Sequence, residues 1–194
     1  AYYTVVDDER TGWTGGLLLL NKGGRPIEFQ CTLPVRPTRA HEILYGETLR
    51  AHLIGEVIGP LLIKKCRTPI SILCCDQHES TVIGERSSFP IAVVREAQSS
   101  SRGTKTKPDS DPPRQADSDE AKRQTISLQD RSTVLLAGSR LMVRDDQLEL
   151  VRELSRQLSD LPDAVEQFER IREAIKEAQS QISRASASRL PNDA

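Results

Sequence analysis

Residues 15–33 read Gly-Gly-Leu-Leu-Leu-Leu-Asn-Lys-Gly-Gly-Arg-Pro-Ile-Glu-Phe-Gln-Cys-Thr-Leu. The apolar run Leu17–Leu20 meets Asn21-Lys22-Gly23-Gly24, whose residue types favour a tight turn. Beyond the turn, Ile27, Phe29, Cys31 and Leu33 alternate with Glu28, Gln30 and Thr32. A period of two places the apolar set on one face of a strand and the polar set on the other. Two such runs joined by a glycine-rich turn predict an antiparallel hairpin. The alternation predicts a half-buried second strand with its apolar face on the core.

Working outward, Pro34 and Pro37 end the strand and Thr38 can cap a helix. Ala40, Ile43, Leu44, Leu49, Leu53, Val57 and Leu61 follow at mostly helical spacing, with a break or kink expected near Gly59-Pro60. Ile70–Cys75 and Pro90–Val94 are short apolar runs without alternation, as in strands covered on both faces. The polar segment between them, Asp76–Ser88, fits a short helical turn. Residues 1–95 therefore predict an α+β fold, a small antiparallel or mixed sheet with one main helix, in the order strand, strand, helix, strand, strand. In outline this order resembles the small sheet-plus-helix scaffolds of profilin-like and roadblock-like adaptor domains.

Residues 96–125 contain Ser99-Ser100-Ser101, Pro108, Pro112 and Pro113 among charged residues, with no Val, Ile, Leu or aromatic. Such a segment cannot offset the entropy of ordering its backbone, so a disordered linker is expected. Residues 126–194 form the third part. Thr133–Ala137 and Leu141–Val143 flank Gly138-Ser139 and read as one or two short strands. Asp145 can cap a helix bearing Leu148, Val151, Leu154 and Leu158. In the last helix Leu161, Phe168, Ile175 and Ile182 recur every seven residues, with Ala164, Ile171 and Ala178 in the complementary positions. This is a heptad seam, and it predicts a C-terminal helical hairpin.

Charge and composition narrow the function. The 194 residues carry 27 Lys+Arg against 28 Asp+Glu, a net charge of −1, and only 4% aromatics. Nucleic acid is disfavoured, because there is no basic stripe and little to stack on bases. The longest apolar run is far short of the roughly 18 residues of a membrane span, so no membrane partner is expected. No charged-then-apolar leader opens the sequence, and Cys31, Cys66, Cys74 and Cys75 show no disulfide framework. A cytoplasmic setting is expected, and no cofactor.

Three groups of residues are candidate sites. Arg36, Thr38 and Arg39 lie between a strand end and a helix start, where unpaired N–H groups favour an anion and two guanidiniums can clamp it. The plain alternative is a capped helix with solvated arginines. Cys66, Cys74, Cys75 and His78 are the densest set of possible zinc ligands, without a CxxC pair; two buried small residues and a polar loop are the alternative. The same chemistry would let Cys31 or Cys75 act as a nucleophile beside His41, His52 or His78, although no local signature marks one. No GxxxxGK[ST] loop is present. Leu161, Phe168, Ile171, Ile175 and Ile182 are the candidate interface, since an apolar seam must be covered by something; the alternative is that it packs within the chain, on the helix from Asp145 and on the sheet domain.

The expected function is a non-enzymatic cytoplasmic protein–protein interaction or adaptor protein. Its C-terminal amphipathic helix pair would assemble with a protein partner or a second copy. The alternative is a sensor or enzyme that takes a small anionic ligand at Arg36–Arg39.

Overall fold

The computed structural model describes residues 1–95, 131–158 and 160–187. The expected linker at 96–125 falls outside the described residues. Seven strands form one mixed sheet. They are β1 (Tyr2–Asp8), β2 (Gly12–Leu20), β3 (Pro26–Cys31), β4 (Leu73–Cys75), β5 (Ile91–Arg95), β6 (Arg131–Leu136) and β7 (Ser139–Arg144). Their order across the sheet is β3-β2-β1-β4-β5-β7-β6. The neighbours β1, β4 and β5 run parallel, and every other pairing is antiparallel.

The α+β class and the β2–β3 hairpin are as expected, but the sheet is larger than four strands. β1 was not anticipated. Its sequence Tyr-Tyr-Thr-Val-Val is rich in aromatic and β-branched residues, and it lies inside the sheet between β2 and β4. β6 and β7 do not stand apart beside the helices. They extend the same sheet past β5, with Val93 opposite Met142 and Val94 opposite Leu141.

Both faces of the sheet are covered. On one face a helical run comprises α1 (Arg39–Tyr45), a 3-10 turn, α2 (Leu49–Ala51), a π-helical stretch at His52–Ile58 and α3 (Gly59–Lys65). The π stretch has a wider turn, with the Gly59 N–H bonded to the Ile54 carbonyl five residues back. That turn shifts the buried stripe. Leu53 is buried, and Ile54, Ile58 and Leu62 enter the core with Tyr3, Leu17 and Leu73, whereas Ile43, Leu44 and Leu61 of the predicted stripe are exposed. The helical run continues through Pro60, which sits in the first turn of α3, where its missing N–H does least harm. The irregularity lies before it, in the π stretch.

The other face carries α4 (Leu148–Gln157) and α5 (Ala164–Ala187). The two helices do not seal their apolar sides against each other as a free hairpin. α4 packs on β6 and β7, and α5 packs on β1 and β2. Phe168, Ile171 and Ile175 are buried with Tyr2 and Leu18, the Phe168 ring meeting Tyr2 edge-on at 5.7 Å. Leu161 packs partly buried on the same core. The heptad seam expected to need a neighbouring molecule is thus covered at these positions by the chain's own sheet. Only Ile182, near the described end of α5, keeps 44% of its surface exposed. Glu166 and Arg170 pair at 2.6 Å on the outer side of α5.

The adjacent glycines of β2 allow both layers to close on one strand. A β-carbon at Gly15 would lie 2.2 Å from Ile58 Cγ2, and one at Gly16 would lie 2.4 Å from Ile171 Cγ2. Successive strand residues face opposite sides, so each glycine serves one helical layer. Gly16→Ala is expected to destabilise the fold by about 1–3 kcal/mol in urea unfolding, because a packed interior resists overfilling. Gly23→Ala is the control. Its added carbon meets only the Asn21 side chain, at 3.6 Å, and should change stability by less than about 0.5 kcal/mol.

Candidate functional site, an open apolar strand edge

The side chains first suspected of chemistry are not assembled for it. Arg36 reaches back to the β1–β2 turn, donating from Nε to the Thr11 carbonyl at 3.1 Å and from its terminal nitrogen to the Arg10 carbonyl. Arg39 pairs with Glu42 at 2.8 Å. Thr38 and His41 form a reciprocal cap at the start of α1. The two guanidiniums therefore do not converge on the helix start, and the sequence alternative of a capped helix is what forms.

Cys74 and Cys75 are buried on opposite faces of β4, in the two separate cores. Burial pushes the Cys74 thiol up to about 11 and the Cys75 thiol well above its ordinary value, so neither is a ready nucleophile. Cys66 donates to the Thr68 carbonyl at 3.1 Å. His78 faces Arg131 at 3.4 Å, and burial together with that charge lowers its pKa. Among the described residues no group of three or more His, Cys, Asp and Glu side chains is placed to hold a metal ion. Nor does any described helix have the length and apolarity to cross a membrane.

Asp76, at the end of β4, is a polar contact that sequence reasoning passed over. Its Oδ2 accepts from Thr4 Oγ1 at 2.9 Å and pairs with the Arg172 guanidinium, while Oδ1 is buried without a partner. Burial raises its pKa, outweighing the Thr4 hydrogen bond and the Arg172 charge. Farther along α5, Gln179 Nε2 donates to Thr14 Oγ1 at 2.9 Å. These two polar contacts fix the register of α5 on the sheet.

The feature left uncovered among the described residues is β3, one outer strand of the sheet. Its alternation is as read from the sequence, but the covered face is the polar one. Glu28 accepts from the backbone N–H groups of Arg67 at 3.1 Å and Thr68 at 3.0 Å, and from Gln30 Nε2 at 2.6 Å. Gln30 Nε2 also donates to the Lys65 carbonyl at 2.9 Å. The chain following α3 therefore caps this face. The opposite face belongs to the α5 side of the sheet, since Phe29 stands opposite Leu18 and Cys31 opposite Gly16. α5 lies over β1 and β2 and does not reach it. Ile27, Phe29 and Leu33 are exposed by 49%, 40% and 71%, and Cys31 is exposed beside them.

Two further observations shape the site. Leu33 and Cys31 line a cavity of about 350 Å3 whose other walls include Leu61, Lys65, Ala178 and Ile182. The strip thus runs into a recess between α3 and α5. The backbone edge is open as well. The Thr32 N–H bonds the Gly15 carbonyl at 3.0 Å. In an antiparallel pair, hydrogen-bonded and non-hydrogen-bonded positions alternate. By the observed register, Gln30 then bonds toward β2, while the N–H and C=O groups of Phe29 and Cys31 point to the free side. No protein-family model, curated protein or solved structure matches the chain. The site rests on its geometry.

Glu28 ties β3 to the chain after α3, and its hydrogen bonds hold its pKa near 2 against an ordinary 4.5. A carboxylate whose folded pKa is depressed contributes stability above its unfolded pKa and loses it as pH falls through the folded one. Stability measured by urea unfolding should therefore fall as pH drops from about 4.5 to about 2. In Glu28→Gln this part of the pH dependence should be flattened, with lower stability at pH 7.

Proposed function

We propose that this protein is a non-enzymatic protein–protein interaction module that docks its partner on the open β3 edge, and not through the heptad seam of α5. The observation that carries the reading is the coincidence at β3 of an exposed apolar strip with outward-facing backbone groups. An apolar strip alone is a weak sign, since folded surfaces expose many apolar atoms. An unpaired edge alone is common. Together they offer an extended segment both main-chain hydrogen bonds and side-chain burial, which is how strand addition obtains affinity and selectivity. The recess bounded by Leu33, Leu61 and Ile182 supplies a place for one anchoring side chain. The reading keeps the cytoplasmic setting, supported by four cysteines that all remain thiols. The anionic-ligand reading loses its support, because Arg36 and Arg39 are engaged separately.

Selection of random peptides displayed on phage against the full chain tests this. Peptides that bind are expected, and Phe29→Lys and Leu33→Lys should each abolish their binding while leaving circular dichroism and thermal midpoint near wild type. Binders that ignore both substitutions, or a selection that yields none, would remove the β3 edge as the docking site.

A further inference from the structure

The chemistry around β3 goes further and names the kind of partner, an inference that rests on the docking role just proposed. Residues 21–35 and 61–70 form the strand, its flanks and the end of α3 with the chain after it. They contain five cations, Lys22, Arg25, Lys64, Lys65 and Arg67, and one acid, Glu28. All five cations are exposed, and none forms a salt bridge among the described residues. Glu28 is already engaged by backbone N–H groups and Gln30. The edge of a chain with net charge −1 is therefore locally basic.

Two of these cations, Lys65 and Arg67, belong to the segment that covers the polar face of the strand. The backbone of Lys65 and Arg67 is bonded to Gln30 and Glu28 on that polar face, and the two residues line a shallow depression that also reaches Ile27 and Phe29 at the edge. The opposite side presents Ile27, Phe29 and Cys31. A strand added to this edge would inherit the same division, because alternate side chains of neighbouring strands share a face. We propose that the β3 edge takes an extended protein segment in which apolar and acidic residues alternate. The apolar residues lie beside Ile27, Phe29 and Cys31, and the carboxylates face Lys65 and Arg67. A second copy of this chain does not fit. Edge-to-edge pairing of two β3 strands would set each cluster of cations against its duplicate, and like charges across a strand pair are destabilising.

The test uses the full chain and three synthetic peptides of about eight residues, the length of an ordinary strand. One alternates Val and Glu, one alternates Val and Lys, and one has the Val and Glu residues in two blocks. Fluorescence anisotropy reads affinity, and light scattering reads oligomeric state. The alternating acidic peptide is expected to bind at least about tenfold more tightly than either other peptide, the size that a few partly screened ion pairs supply. Its affinity should fall with added salt. A Lys65→Glu, Arg67→Glu double variant, altered only at exposed side chains, should reverse the preference between the Glu and Lys peptides. The wild-type chain should scatter as a monomer.

Equal binding of the blocked peptide would overturn the alternating pattern, and equal binding of the Lys peptide would overturn the charge assignment. A wild-type dimer that dissociates in Phe29→Lys would replace the acidic partner by a second copy. Phage-selected peptides that need Phe29 but tolerate the double variant would leave the docking role standing and this inference refuted.

Discussion

The approach of two helical layers to one strand, at Gly15 and Gly16, sets the layout of the molecule. Without side chains there, Ile58 closes on one face of β2 and Ile171 on the other. α5 is thereby held over β1 and β2, and the Asp76–Arg172 and Thr14–Gln179 contacts hold its register. A helix with its side chains is roughly 10 Å wide, and strands are spaced about 4.8 Å apart. One helix therefore shelters about two strands. With α5 committed to β1 and β2, and α4 to β6 and β7, the strand outside β2 has no cover on that face among the described residues. The exposure of Phe29 follows from where the glycines put the helix.

The sequence carried the periodicities well and the identity of the covering surface poorly. Alternation from Ile27 to Leu33 shows which residues share a face. It does not show that the polar face would be the one capped, because that depends on backbone N–H groups of Arg67 and Thr68, some 40 residues away along the chain. The heptad from Leu161 to Ile182 likewise reports an apolar stripe without saying whether a helix or a sheet covers it. Here the sheet does, at Phe168, Ile171 and Ile175. β1 was hidden by the acidic run at its end, although Tyr2 to Val6 has strand-forming residues throughout. In the helical run, the π turn at His52–Ile58 breaks the 3.6-residue phase on which any stripe prediction rests, so Ile54 and Leu62 are buried in place of Leu44 and Leu61. The candidate anion and metal residues are engaged elsewhere in the structure, for reasons that sequence proximity does not show. Cys74 and Cys75 are successive strand residues and point apart, Arg39 pairs within its own helix turn, and Arg36 is drawn to the distant β1–β2 turn.

An exposed apolar edge strand is a hazard for any folded protein, and natural sheets guard such edges with charge. β3 follows that rule in part. Its lysines and arginines flank the strip without interrupting it, and none of the strand's own side chains on the apolar face is charged. Had the only demand been to prevent association, a lysine at position 29 or 31 would serve better than the present Phe29 and Cys31. A guard that repels identical copies while leaving the main-chain groups and the apolar face accessible is selective, not prohibitive. In the proposed reading, the cations that keep two copies of this chain apart are the same ones that admit an acidic strand, so solubility and recognition come from one set of charges.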